Sequence, residues 1–348
     1  MNVGGTARYV SELVEKIPNS KLATGYVQGS EIEDPCVQKL AVLRIRHLGR
    51  KISPCNDFRA WLQLRKVIKE VKPLIVHTHT FKAGLIGRLV GGKHKRVHTF
   101  HGHLFGDQSF SLLEKKIITI TENFLANRTN LLISVGKKVG VEIRAVGIGA
   151  NQNWLSIPPG VRTLPAFERA SARKILGLKG DGICIGWMAR MVAVKNPLLL
   201  LEIATQLPDV NFAMAGGGDL LDEIKSKAPM NVTVIGWSDA ATFWSAVNCA
   251  ISTSDNEGMP IALIEAQLAG VPIIATDVGS NSEVIENGIT GLVVSKDPKR
   301  IIQALNKLLS DKLLITSMGL AARERANKEF NLPKMIDSHE EAYKGLLI

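Results

Sequence analysis

The sequence predicts an α/β protein built from two doubly wound domains. Short apolar runs alternate with amphipathic helical stretches along the whole chain, 348 residues suffice for two full cores, and Pro158-Pro159-Gly160 interrupts the alternation near the middle. The first domain is therefore expected over residues 1–160 and the second from residue 161 onward.

Taken in order, residues 22–28 read as a strand. Residues 58–70 form a strongly amphipathic helix, stopped at Lys72-Pro73 because the residue before a proline is driven out of the helical region. Buried strand 74–77, helix 81–90, strand 96–100, a long helix over 111–126 and strand 131–135 follow. Past the proline cluster a second set begins, with strands near 182–188, 210–215, 232–235, 249–252, 272–275 and 291–294. A helix is expected from Pro197, and another over residues 332–347. No internal repeat is apparent.

Composition narrows the function classes. With 45% hydrophobic and 22% charged residues the chain is ordinary globular protein, which sets aside disorder and fibrous classes. Its longest apolar stretch, residues 261–278, is interrupted by Glu265, Gln267, Pro272 and Asp277, short of the roughly 20 residues of a membrane span. The N-terminus has neither the basic region nor the apolar core of a signal peptide. Four scattered cysteines, without paired spacing, point to a reducing, cytoplasmic setting and away from zinc. The net charge of +11 is uneven: residues 1–160 hold 24 Lys+Arg against 11 Asp+Glu, residues 161–348 hold 19 against 21. Basic runs at Arg44, Arg46, Arg50, Lys51 and at Lys93, Lys95, Arg96, Lys115, Lys116 suit an anionic membrane surface, with a merely solubilising surface as the alternative. Nucleic acid is disfavoured, since aromatic content is 5% and no binding motif is present.

The chemistry centres on Glu257-Gly258-Met259-Pro260, with Glu265 eight residues after Glu257. Proline suits the first helical position, so a helix is expected to open at Pro260 and aim its amides and positive dipole end at an anion near Gly258. A carboxylate at Glu265 can accept from a ribose diol, and Glu257 from a second polyol. The competing reading makes Glu257 the partner of Ser254 in a capping box and Glu265 a solvated face residue. Upstream, Arg190 and Lys195 stand five residues apart where the 182–188 strand ends, as a diphosphate needs or as ordinary surface cations. Gly4-Gly5 fits an anion loop or a plain turn. Ser280-Asn281-Ser282-Glu283 reads as a capping box. Six of eight histidines lie at positions 77, 79, 94, 98, 101 and 103, but no helical pair or cysteine supports a metal site.

Together the Arg190/Lys195 and Glu257/Glu265 segments resemble the retaining nucleotide-sugar glycosyltransferases of family 4. The likeness also takes in the Gly4-Gly5 loop, the HTH…KAG…GR…HTFHGH run of residues 77–103, the IPPGV entry at residues 157–161, and the segments 271–276 and 288–294. The resemblance implies the GT-B fold, two Rossmann-like domains facing across a cleft. A final helix, 332–348, crosses back to the first domain and leaves 161–331 as the donor-binding domain. It implies Arg190 and Lys195 on the diphosphate, Glu257 on the sugar and Glu265 on the ribose. Gly258, Met259 and Pro260 line the same site, Gly216-Gly217-Gly218 with Gly236-Trp237-Ser238 border the base pocket, and His101 bonds the transferred sugar. No Asp-x-Asp motif occurs, so metal-independent retention is expected, with no cofactor beyond the nucleotide-sugar substrate. Similarity of segments 48–54 and 98–103 to bacterial surface-polysaccharide enzymes suggests a UDP-sugar donor and a polyprenyl-linked saccharide acceptor.

One departure concerns the first strand. Only Met1-Asn2-Val3 precedes the glycine loop, so the central strand of the first sheet is expected to be missing, through a late start site or a truncated, inactive sugar-nucleotide-binding protein. A glycoside hydrolase using Glu257 and Glu265, which leaves the two cations unexplained, and a 2-epimerase of the same fold are the enzymatic alternatives.

Overall fold

A computed structural model describes residues 1–28, 32–49, 52–102 and 111–348. Arg50, Lys51 and His103 lie outside the described residues. The chain divides into two compact units, residues 1–160 with 332–348, and residues 161–331.

The second unit carries one six-stranded sheet: β7 (Cys184–Met188), β8 (Asn211–Ala215), β9 (Val232–Gly236), β10 (Cys249–Ser252), β11 (Ile273–Thr276) and β12 (Gly291–Val294), numbered after six strands of the first unit. Every pair is parallel, in the order β12-β11-β10-β7-β8-β9. Helices cover both faces, so strands such as β10 and β11 are buried throughout. One core layer gathers Trp187, Leu200, Phe212, Met214, Ile274 and Leu305, and the other Phe243, Trp244, Leu263, Ile264 and Ile273.

The first unit is built from thinner pieces. Strands β1 (Leu22–Thr24) and β2 (Val42–Arg44) form a parallel pair, and β3 (Ile75–His79), β4 (Lys95–Phe100), β5 (Leu131–Ser134) and β6 (Trp154–Ser156) form a separate parallel sheet. Among the described residues no strand precedes the first helix, Gly5–Lys16, and Asn2 makes only an isolated bridge to Glu33. The sheet therefore comes in two parts. Among the described residues strand β3 bonds only β4, and Ile75, Val76 and His77 on it are half-buried where the residues of β5 are buried.

Four residues of the KAG…GR run explain how the first unit packs. A Cβ on Gly84 would lie 2.6 Å from the His98 ring, and one on Gly87 2.5 Å from Thr78 Cγ2, so helix Phe81–Leu89 reaches the sheet only without side chains there. Lys82 Nζ pairs with Asp57 at 2.6 Å, and Arg88 donates to Glu122 at 2.6 Å in a buried pair that ties this helix to Leu112–Ala126. The C-terminal helix Leu332–Leu347 belongs to this unit, where the Tyr9 hydroxyl lies 3.1 Å from His339 Nε2.

Candidate active site

The connectivity of the second sheet creates a crevice before any side chain is considered. From β7 the chain steps through β8 and β9 on one side and through β10, β11 and β12 on the other, so the loops leaving β7 and β10 diverge. Ligands of open α/β sheets bind at that switch point, beyond the carboxyl ends of the strands. The β7 loop carries Arg190 and Lys195, and the β10 loop carries Glu257.

Residues 62 apart in sequence meet there. Lys195 Nζ lies 2.6 Å from Glu257 Oε1, which also accepts from the Ser254 hydroxyl at 2.7 Å. Glu257 is only 7% exposed, so the ion pair is a partly desolvated, charge-assisted hydrogen bond. Arg190 is half-buried and lies on the same loop, its carbonyl accepting from the Val192 amide.

A polar lattice holds the two loops together. Thr253, wholly buried, accepts the Trp187 indole N–H at 3.0 Å and donates to the Asn196 carbonyl at 2.8 Å. Asn196, left-handed at φ +47°, caps helix Pro197–Gln206 and donates through Nδ2 to Asp255. The Asp255 amide in turn donates to the Val194 carbonyl at 2.9 Å. Two glycines let backbones approach. At Gly216, φ +136°, a Cβ would fall 1.9 Å from the Ala189 carbonyl oxygen, and at Gly279, φ +48°, 1.7 Å from that of Glu257. Thr253, Asp255 and Gly279 escaped the sequence reading. A Val278-Gly279 turn after β11 was the only available signal for Gly279, and nothing local marks Thr253.

Several local expectations need correction. Helix Ile261–Leu268 opens one residue later than expected, with Pro260 as its cap residue in extended conformation. Ser254 and Glu257 do not form a capping box, because that helix starts beyond both; their side chains bond each other instead. Nor is Glu265 a solvated face residue. It is 4% exposed on a helix that also buries Leu263, Ile264, Ala266 and Leu268, an environment in which a carboxylate is costly without partners. The Ser280 box does not form either. Helix Asn281–Val284 is a single turn, the Ser280 side chain makes no cap bond, and its amide donates to the Gly258 carbonyl at 3.2 Å. Met259 packs half-buried against the core beside this turn. Gly236, at φ +86°, ends β9, and the following Trp237 sets its indole against Gly217, where a Cβ would lie 2.5 Å from Nε1.

In the first unit Gly4, at φ +152°, caps the helix that begins at Gly5, and its amide faces the Asp34 carboxylate at 3.4 Å. The histidines pair with one another and with hydroxyls. His79 Nδ1 lies 2.9 Å from His101 Nε2, His77 is bonded by Tyr343 and Thr99, and His98 by Thr78. His339 Nδ1 faces the Met335 carbonyl and so carries the proton, which leaves Nε2 to accept from Tyr9. Burial, reinforced by His339, pushes His101 down to about 3, and burial pushes His339 down to about 4. Both imidazoles are neutral at neutral pH.

The family model described as Glycosyltransferase Family 4 matches residues 3–163, and the one described as Glycosyl transferases group 1 matches residues 182–311. The chain is a glycosyltransferase with a family 4 domain and a group 1 domain. An Escherichia coli UDP-Gal:alpha-D-GlcNAc-diphosphoundecaprenol alpha-1,3-galactosyltransferase is 28% identical to this glycosyltransferase, over 99% of the chain and 95% of that protein. CapM of Staphylococcus aureus, a capsular polysaccharide biosynthesis glycosyltransferase, is 25% identical over 86% of the chain and 84% of its own length. Among solved structures, sucrose-phosphate synthase of Thermosynechococcus elongatus has a TM-score of 0.85 at 20% identity, covering 99% of this chain and 94% of that one. HepE of Anabaena in complex with UDP-glucose has a TM-score of 0.83 at 16% identity, covering 99% and 96%. The fold is that of the GT-B glycosyltransferases.

Proposed function

We propose that this glycosyltransferase moves a sugar from a UDP-sugar to a polyprenyl-diphosphate-linked saccharide, with retention at the anomeric carbon and without a divalent ion. The observation that carries the reading is the Lys195–Glu257 pair at the sheet switch point, which sets a cation for a diphosphate beside an acceptor for sugar hydroxyls. Arg190 and Lys195 neutralise the leaving diphosphate. Charge grows there as the glycosidic bond breaks, and fixed cations in a partly dry site stabilise it with little reorganisation. Glu257 holds the sugar and Glu265 the ribose, with Gly258, Met259 and Pro260 shaping the turn between them. Gly4 and Gly5 give close backbone approach at the first helix, Gly236 and Trp237 flank the base, and His101 offers the transferred sugar a neutral imidazole. The acceptor class follows the lipid-diphosphate galactosyltransferase and capsule enzyme to which the chain is similar.

A panel of UDP-sugars offered with a GlcNAc-diphospho-lipid tests this directly. The expected product is the disaccharide lipid, formed with an α-linkage from an α-linked donor and at an unchanged rate in excess EDTA. Turnover lost in EDTA removes the metal-free route. Donor converted to its epimer or hydrolysed, with no acceptor product, rejects transfer to this acceptor class.

A further inference from the structure

We propose that helix Leu112–Ala126 is the element by which this glycosyltransferase lies on an anionic lipid surface. A helix packed against a domain needs one apolar stripe, and this one has two. Ile118, Leu125 and Ala126 face inward with Glu122. On the opposite side Leu113, Ile117, Ile120 and Phe124 recur at spacings of four, three and four, at 67%, 55%, 62% and 50% exposure. Four large apolar side chains in one exposed row mark an interaction surface.

Charge selects the partner. Lys116 is exposed on one flank of the row, and on the other Arg128 sets its guanidinium carbon 4.3 Å from the centroid of the Phe124 ring. The acids of the helix are engaged elsewhere: Glu122 is turned inward onto Arg88, and Glu114 closes the capping box with Ser111. Helix Phe81–Leu89 packs between this helix and Pro54–Val71, whose exposed residues include Arg59, Arg65, Lys66 and Lys69. Lys66 among them lies 3.9 Å from the exposed Glu70, so the net positive charge of that helix rests on Arg59, Arg65 and Lys69. Arg44, one of the cations singled out in the sequence, adds little, because Glu33 binds it at 2.6 and 2.8 Å.

An apolar row between cations matches a bilayer interface, where side chains enter the acyl boundary while ammonium and guanidinium groups reach the headgroup phosphates. A second copy of the chain is a poorer occupant, since it brings the same cations against themselves. No described helix is long and apolar enough to cross a membrane, so the surface mode is attachment within the interface plane.

Co-sedimentation of the full chain with phosphatidylcholine vesicles, with and without about one-third phosphatidylglycerol, tests the assignment. Binding is expected only with phosphatidylglycerol, weakened by high salt. The variant Ile117→Ser/Ile120→Ser/Phe124→Ser should lose at least about tenfold in partitioning while keeping its circular dichroism and thermal midpoint. Lys116→Glu/Arg128→Glu, which leaves the apolar row intact, should lose about tenfold on the anionic vesicles and guards against misfolding of the first variant. Parent-like binding by either folded variant, or no binding by the parent, overturns the proposal. So does a parent dimer that the triple variant abolishes without losing the vesicles. Binding is read without donor or acceptor, so its outcome is separate from that of the donor site.

Discussion

Lys195 faces a carboxylate across 2.6 Å, and its loss should show in a different kinetic parameter from the loss of Glu265. If Lys195 acts on the leaving diphosphate as proposed, Lys195→Ala should lower kcat/KM by about 2–4 kcal/mol of transition-state stabilisation, mostly in kcat. Glu265→Gln keeps the shape of a buried side chain but gives up the charge proposed to hold the ribose diol, so the donor KM should rise with kcat nearly intact. Steady-state kinetics with varied donor separates the two. Parent-like values in both variants end the assignment. These residues were legible in sequence because each stands beside a break, Lys195 before Asn196-Pro197 and Glu257 before Gly258. That Lys195 and Glu257 bond each other was not legible, since 62 residues and three strand-to-strand crossovers separate them.

At the level of elements, close approach and buried charge decide what a substitution does. Gly279→Ala would place a methyl on the Glu257 carbonyl at a left-handed φ, so the β11 turn and the Glu257 loop have to separate. A loss of about 1–3 kcal/mol in urea denaturation is expected, with weaker donor binding by calorimetry. The Arg88–Glu122 pair tests the opposite logic. Arg88→Ala leaves a buried carboxylate alone and should cost about 3–5 kcal/mol, whereas Arg88→Met with Glu122→Leu should restore most of it. Equal loss in the single and double variants would mean that packing, not charge, sets the cost. Helix and strand positions in the second unit were readable because parallel strands buried on both faces write continuous apolar runs; β10 and β12 run over the residues expected. The three-residue strands β2 and β6 left no such signature, being half-exposed and too short for any period.

Across the whole molecule, histidine separates the two units. All eight histidines lie in residues 1–160 and 332–348, none in 161–331. His101 and His339 are held down to about 3 and about 4, against an ordinary value near 6.5 in the unfolded chain. Between those limits the unfolded chain binds protons that the folded unit refuses. Stability from these sites is therefore complete above about pH 6.5 and is lost as pH falls toward about 4. Amide exchange at about pH 5 should show β3 and β4 losing protection before β7 and β10. Earlier loss in the second unit would refute a histidine origin, and His339→Gln should flatten the decline.

By itself, the sequence determined the α/β class, the two-part layout and the residue types on offer at the strand ends, because alternation, proline breaks and paired charges are local patterns. Only the tertiary structure decided which of them meet. The order of strands about β7 brings Lys195 to Glu257, buries Glu265 and sets Thr253 and Gly279 against the loops that carry that pair. Contacts across a parallel sheet depend on crossover connections, and no short-range spacing in the chain encodes them.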